Sequence, residues 1–504
     1  MSEPLPWEDD PNEEPAKGAD DHINAGGELT EIDPEDLFED EGPGRVQNSW
    51  EFPRTDLGNA ELLKLRYGTR LRWCKAQKEW WIWNGRRWNE DVGNEALSYA
   101  NRVARVRRDN ADDVIDEKDS KAEFSWGVAS ESLTKRDACL GQAKSFAGLC
   151  LDLNALDENP WLLNCMNGVV DLRTGEIQKH RPELLMSKMI LTTYDPKAKC
   201  PIWDAYLEKV MDGKQELIGF LQRALGYSLT GSTRESALFV LWGDGSNGKS
   251  VLLDTAASLF GDYATTAASD ALVAKNRTGG PNPEIAMLRG ARFVSASETA
   301  SGARLDEAMI KQMTGGDMVT ARFLNANYIT FKPTSKIWLA TNHKPEIRGT
   351  DWGIWRRIKL IPFGVKIPDE EQDRQLPEKL KAEWPGILAW AIRGCQDWIG
   401  GGLQEPDEVR LATRAYQSEM DPLQAFLDAC CTCGIPLVKT KAMEIYESYK
   451  KWAEATGERT LSLHRVGRCL EAKGFRRVKM RDANYYEEIM LKDRAVQDII
   501  GDML

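Results

Sequence analysis

Residues 237–260 read ALFVLWGDGSNGKSVLLDTAASLF. The run 237–242 is apolar and strand-like, and an amphipathic helical pattern follows the glycines. Between them, Gly243-Asp244-Gly245-Ser246-Asn247-Gly248-Lys249-Ser250 fits the spacing GxxxxGK[ST]. Glycines let a backbone wrap a phosphate with its N–H groups, and a helix N-terminus adds positive potential there. Lys249 is then expected to reach the β- and γ-phosphates of ATP, and the Ser250 hydroxyl to ligate Mg²⁺. This stretch predicts an α/β fold built on a parallel sheet, with strand and helix alternating from about 237 to 365.

Four segments downstream fit the same reading. GARFVSASETA (290–300) is a short apolar run that ends at Glu298. An acid at the end of a strand beside a P-loop activates water or holds Mg²⁺, and the residue before it here is Ser297 rather than the usual Asp, so Glu298 is the expected general base and metal contact. IKQMTGGDMVTAR (310–322) sets Gly315-Gly316-Asp317 between Lys311 and Arg322, two bases placed to meet phosphate. SKIWLATNHKP (335–345) is a strand presenting Asn342, whose amide suits the γ-phosphate and the attacking water. DWGIWRRIKLIPF (351–363) carries Arg356 and Arg357 side by side, suited to an arginine finger inserted into a neighbouring site.

Charge divides the chain. The net charge of 504 residues is −13, yet residues 1–45 alone hold sixteen acids against Lys17 and Arg45, leaving 64 bases and 63 acids on 46–504. The acidity belongs to one tail and does not argue against a polyanionic partner for the rest. Residues 1–48 have too little apolar surface to offset ordering entropy and read as a disordered acidic tail. No run of about 18 apolar residues predicts a membrane span. The start MSEPLPWEDD lacks the basic and apolar parts of a signal peptide. The scattered cysteines read as reduced thiols, and Cys430-x-x-Cys433 lacks the second pair of a zinc site. These features place the protein in a cytoplasm.

Residues 66–91 contain five Trp (73, 80, 81, 83 and 88), with Asn84-Gly85 between two aromatic runs. That dipeptide predicts a type I′ hairpin. Interleaved bases can mean stacking on single strands, but cross-strand pairing is the preferred reading. Near the carboxyl end, residues 439–481 hold twelve bases and five acids. A basic helix there, with Arg465 and Arg468, and a basic strand, with Arg476 and Arg477, are candidates for phosphate contacts.

In their order, these motifs resemble the superfamily 3 helicases of viruses, phages and plasmids, and within them the phage/plasmid primase-associated branch that includes the poxvirus primase-helicase. NGVVDLRTGEI (167–177) and DPKAKCPIWDAYL (195–207) resemble the helical domain ahead of that family's motor. The resemblance implies an AAA+-like P-loop ATPase core and a hexameric ring with ATP sites at subunit junctions. It also implies 3′-to-5′ translocation on single-stranded or forked DNA and a carboxy-terminal winged helix. Lys249 and Ser250 take the Walker A role, Glu298 Walker B, Asn342 sensor 1, and Arg356 or Arg357 the finger. The segment between Lys311 and Lys332 takes the place of the DNA-facing hairpin, although its tip FLNANYITF lacks a base. The expected order is a tail (1–48), a Trp-rich hairpin region (49–100), a helical domain (101–230), the ATPase core (231–370), a helical linker (371–425) and a winged-helix-like DNA-binding domain (426–504). Too little chain precedes the helical domain for a polymerising fold, so no primase activity is expected of this chain; a separate primase or replication initiator is an expected partner, and no membrane partner is expected. The setting implied is replication of a phage, prophage or plasmid in a bacterial host. An ATP-regulated origin-binding initiator, a packaging or remodelling ATPase and a P-loop kinase are the alternatives.

Overall fold

The computed structural model describes residues 48–268, 272–274, 283–297, 303–322, 328–347, 352–458 and 460–492. The acidic tail, Glu298, Asp351 and the hairpin tip 323–327 therefore lie outside the described residues.

The first unit joins the Trp-rich segment to helices. It comprises α1 (Asp56–Tyr67), β1 (Leu71–Cys74), β2 (Glu79–Trp83), β3 (Trp88–Glu90), α2 (Glu95–Asp109), α3 (Glu117–Ser130), α4 (Leu133–Ala143) and β4 (Cys150–Leu151). The sheet order is β3-β2-β1-β4. Trp73 faces Trp80 across β1 and β2, and Trp83 faces Trp88 across β2 and β3. Trp80, Trp81, Trp83 and Trp88 are buried, so the aromatic run is spent on cross-strand packing. The turn after β2 has four residues instead of two: only Gly85 has a positive φ, of 89°, and the Asn84 carboxamide oxygen accepts the N–H groups of Arg86 and Arg87. The boundary drawn at 100/101 falls inside α2, because Leu71, Ile82, Tyr99 and Val103 share one core.

A three-stranded meander follows, with β5 (Leu162–Cys165), β6 (Gly168–Asp171) and β7 (Glu176–Gln178), then α5 (Pro201–Val210) and α6 (Gln215–Leu229). The expected helical domain (101–230) thus also contains a sheet.

Next comes a mixed α/β layer: β8 (Leu238–Trp242), α7 (Lys249–Phe260), β9 (Ala264–Thr266), α8 (Pro283–Ala286), β10 (Phe293–Ser297), α9 (Glu307–Gly315), β11 (Val319–Ala321), β12 (Ile329–Phe331), β13 (Lys336–Thr341), α10 (Trp352–Trp355) and β14 (Ile358–Pro362). Five of these strands form one parallel sheet in the order β14-β8-β13-β10-β9, while β11 and β12 pair antiparallel outside it. Leu238 through Leu241 of β8, and all of β13, are buried, as expected of strands covered on both faces.

The stretch expected as a linker holds α11 (Leu376–Ala382), α12 (Trp384–Gly401) and α13 (Asp407–Glu419). It is an integral layer. A Cβ on Gly226 of α6 would lie 2.1 Å from the Cys395 nitrogen, and one on Gly394 of α12 would lie 2.1 Å from the Gln222 oxygen. The two glycines let α6 and α12 touch backbone to backbone, and Trp203, Phe239, Trp338 and Trp398 fill one core around them. The last unit comprises α14 (Pro422–Cys430), β15 (Cys431–Cys433), β16 (Lys439–Lys441), α15 (Ala442–Thr456), α16 (Leu463–Ala472), β17 (Arg477–Lys479), β18 (Asn484–Glu487) and β19 (Ile489–Leu491). Its sheets are β16-β18-β17 and β15-β19, over a separate core that includes Phe426, Tyr449 and Trp452.

Among the described residues no helix is long and apolar enough to cross a membrane. Trp88 is fully buried and its indole N–H donates to the Pro182 carbonyl at 2.9 Å. Trp88→Ala should destabilise the chain by about 3–5 kcal/mol in chemical denaturation. A shift below about 1 kcal/mol would mean that the aromatic sheet is not a packed element.

Candidate nucleotide-binding site

The P-loop leaves the carboxyl end of β8 and turns into α7. Ser246 and Gly248 have φ of 60° and 88°. The two motif glycines are sterically required. A Cβ on Gly243 would sit 2.2 Å from the Phe363 oxygen, and one on Gly248 would sit 2.7 Å from Val210 Cγ1. Gly245 has open space where its Cβ would be, in keeping with its place at a variable position of the motif.

Lys249 is 6% exposed. Its ammonium donates to the Gly243 oxygen at 2.7 Å, the Asp244 oxygen at 3.1 Å and Asn247 Oδ1 at 3.0 Å. Three donors meet three acceptors of the loop itself. Burial pulls its pKa below the ordinary lysine value, and the Asp244 charge opposes that. An anion on the loop would favour the charged form and compete for these donors. Asn247 braces the turn, its amide donating to the Phe363 oxygen at 3.2 Å, while the Ile367 N–H reaches the Ser246 oxygen at 2.7 Å.

A cavity of about 680 Å³ opens over the loop. It lies at the carboxyl edge of the parallel sheet, where such sheets bind ligands. Lys249 and Ser250 line it together with Ser297 from the end of β10 and Thr341 and Asn342 from the end of β13. The register explains the convergence: Ser297 pairs with Ala340, and Ala340 with Leu241. Asn342 is exposed. Glu298 follows Ser297 in the chain but is outside the described residues.

Sequence reading missed the opposite wall. Ile202, Tyr206 and Lys209 of α5 line the cavity, as do Ile367 and Glu371 through Arg374 beyond β14. Tyr206 donates its hydroxyl to the Gly248 oxygen at 2.7 Å, and Lys209 pairs with Glu371 at 2.8 Å. Burial raises the Tyr206 pKa, so it stays a neutral donor. Ile202 and Tyr206 fall in the 195–207 segment, but no local signal marks any of these residues as cavity wall; the packing of α5 and of the chain beyond β14 against the P-loop brings them in.

The structure separates the two arginines. Arg356 is exposed. Arg357 is 8% exposed, with Nε donating to Thr314 Oγ1 at 3.0 Å and another nitrogen to the Gly353 oxygen. Both precede β14, whose Ile358 pairs with Leu238 at the amino end of β8. They lie about one strand length, roughly 16 Å, from the P-loop of the same chain.

The expected nucleic-acid contacts are dispersed. Lys311 is half-buried on α9, and Arg322 leaves β11 with its guanidinium 4.7 Å from the Tyr328 ring. Arg465 is half-buried and Arg468 exposed on α16. Arg476 and Arg477 are exposed, at 3.9 Å from Glu487 and 3.7 Å from Glu471.

Residues 60–212 match the D5 N terminal like family, and residues 241–357 match a family of unknown function. A protein of Acanthamoeba polyphaga mimivirus named "Putative helicase L207/L206" is 28% identical over 67% of this chain and 37% of its own length. One of Frog virus 3, "Putative helicase 022R", is 28% identical over 50% of this chain and 28% of its own. A "Putative primase" of African swine fever virus is 29% identical over 55% and 31%. The chain is similar to these viral helicase- and primase-named proteins over half to two thirds of its length. It spans about a third of their length. Among solved structures, the apo C-terminal region of NrS-1 aligns with 87% of this chain at 12% identity, with a TM-score of 0.46.

Gly243→Ala should destabilise the protein by about 1–3 kcal/mol, because backbone stands where the methyl would go. Unchanged denaturation would show that β8 and the strand end at Phe363 do not approach as described.

Proposed function

We propose that this chain is the motor of a DNA helicase of the superfamily 3 type, binding ATP with Mg²⁺ in the P-loop cavity and unwinding DNA in the replication of a virus, phage or plasmid. The observation that carries the reading is the meeting of Lys249, Ser250, the Ser297 strand end and Asn342 around one cavity. Lys249 grips the phosphates, Ser250 holds Mg²⁺, Glu298 activates water and Asn342 orients it. The strand order 5-1-4-3-2, counted along the chain, supports an AAA+-like core. The run α15, α16, β17, β18 supports a carboxy-terminal winged helix on DNA.

Arg356 is the finger in this reading. It is exposed and about a strand length from its own P-loop, so its target is a neighbouring subunit of a ring, taken as a hexamer. Arg357 holds Thr314 and Gly353 in place instead. Primer synthesis is not assigned to residues 48–492; primers made from nucleoside triphosphates by this chain alone would overturn that part.

Lys249→Ala should abolish ATP hydrolysis. Arg356→Ala should lower kcat about a thousand-fold or more. Mixing the two inactive proteins should restore part of the activity, because an intact P-loop then meets an intact Arg356 across a junction. Full turnover by Lys249→Ala would sink the assignment, and mixtures that stay inactive would refute the shared site.

A further inference from the structure

A second cavity, of about 740 Å³, lies at the opposite edge of the parallel sheet. Its walls are the segments that lead into strands: Ser232 and Arg234 before β8, Arg289 before β10, and Lys332 and Thr334 before β13. The foot of the β11–β12 pair and the 153–161 segment close it.

Two cations are buried in and behind its wall. Arg292 is 2% exposed and donates to the carbonyls of Leu229 at 2.7 Å, Leu162 at 2.9 Å and Asn159 at 3.4 Å. Lys336 is 1% exposed and donates to the carbonyls of Thr230, Ser232 and Thr334. Both rely on neutral carbonyls. Buried positive charge held this way is costly unless an anion offsets it. The two also repel each other, and burial with that repulsion drives Lys336 well below the ordinary lysine pKa.

The open side of the cavity adds more positive charge. Arg289 is half-buried and spends one nitrogen on the Leu153 carbonyl at 2.6 Å. Lys332 is exposed, and Arg234 stacks 3.9 Å from the Trp398 ring with half its side chain in solvent. Two acids face the same space. Asp157 is occupied by the Ser187 hydroxyl and by the Ser187 and Lys188 N–H groups, while Glu158 is exposed. Trp161, half-buried, lines the same wall.

We propose that this amino-edge cavity binds the phosphodiester backbone of single-stranded DNA, as an anion site separate from the P-loop cavity. The inference rests on the DNA-motor reading and adds a place where the strand is held, at the foot of the β11–β12 pair. A phosphate there meets Arg289 and Lys332 directly and lies over the charge of Arg292.

The test is fluorescence anisotropy of labelled oligo(dT) across a salt series, with melting curves for each protein. Arg289→Gln/Lys332→Gln should bind roughly ten-fold more weakly at low salt, with the slope of log affinity against log salt reduced by about 1–1.5. Lys332→Gln alone breaks no side-chain bond among the described residues and should show about half that loss of slope. Wild-type affinity and slope in variants that melt normally would overturn the site. So would normal DNA binding coupled to loss of ATP-dependent self-association, which would assign the phosphate to a nucleotide on another copy. A wild-type protein that does not bind oligo(dT) would instead remove the DNA-motor reading, and this site with it.

Discussion

Leu238–Trp242 runs parallel to β13 on one side and to β14 on the other, and one register level runs through Ser297, Ala340, Leu241 and Ile361. Because neighbouring strands share that level, three strand ends arrive at the same edge of the sheet. The P-loop, Asn342 and the Ser297 end are neighbours for this reason alone, although up to about a hundred residues of chain separate them. The same register puts the segments leading into the strands on the opposite edge. There Arg356, Arg292 and Lys336 collect. One sheet therefore carries two chemically distinct rims.

The helical layers hold that sheet in place. Gly226 and Gly394 let α6 and α12 meet at backbone distance, and the core they share reaches Phe239 and Trp338 on the sheet. Tyr206 on α5 then touches the P-loop directly. On the other side, Asp262, which follows α7, accepts from Arg87 of the Trp-rich unit and from the Met189 N–H at 3.1 Å. The helix that begins with Lys249 is thus tied at both ends to parts of the chain outside the sheet.

Much of this was legible in the sequence, because the decisive signals are local. GDGSNGKS needs only its own eight residues, and the two strands of 290–300 and 335–345 follow from short apolar runs, although they end one residue earlier than expected, at Ser297 and Thr341. The opposite cavity wall was not legible. Tyr206, Lys209 and Ile367 are ordinary residues in ordinary elements, and only packing makes them part of a site. The same holds for α12, which reads as a connecting helix until Gly394 is seen against Gln222. Asn84-Gly85 misled in detail: the asparagine side chain caps a longer loop that a two-residue rule does not foresee. Paired arginines looked equivalent in sequence, and burial alone separated Arg356 from Arg357.

The central claim is that nucleotide hydrolysis at this sheet edge drives strand separation. Release of a labelled strand from 3′-tailed and 5′-tailed duplexes, with ATP and Mg²⁺, tests it most directly. Release from the 3′-tailed duplex and little from the 5′-tailed one is the expected result. Steady ATP hydrolysis with no release from either substrate would contradict it.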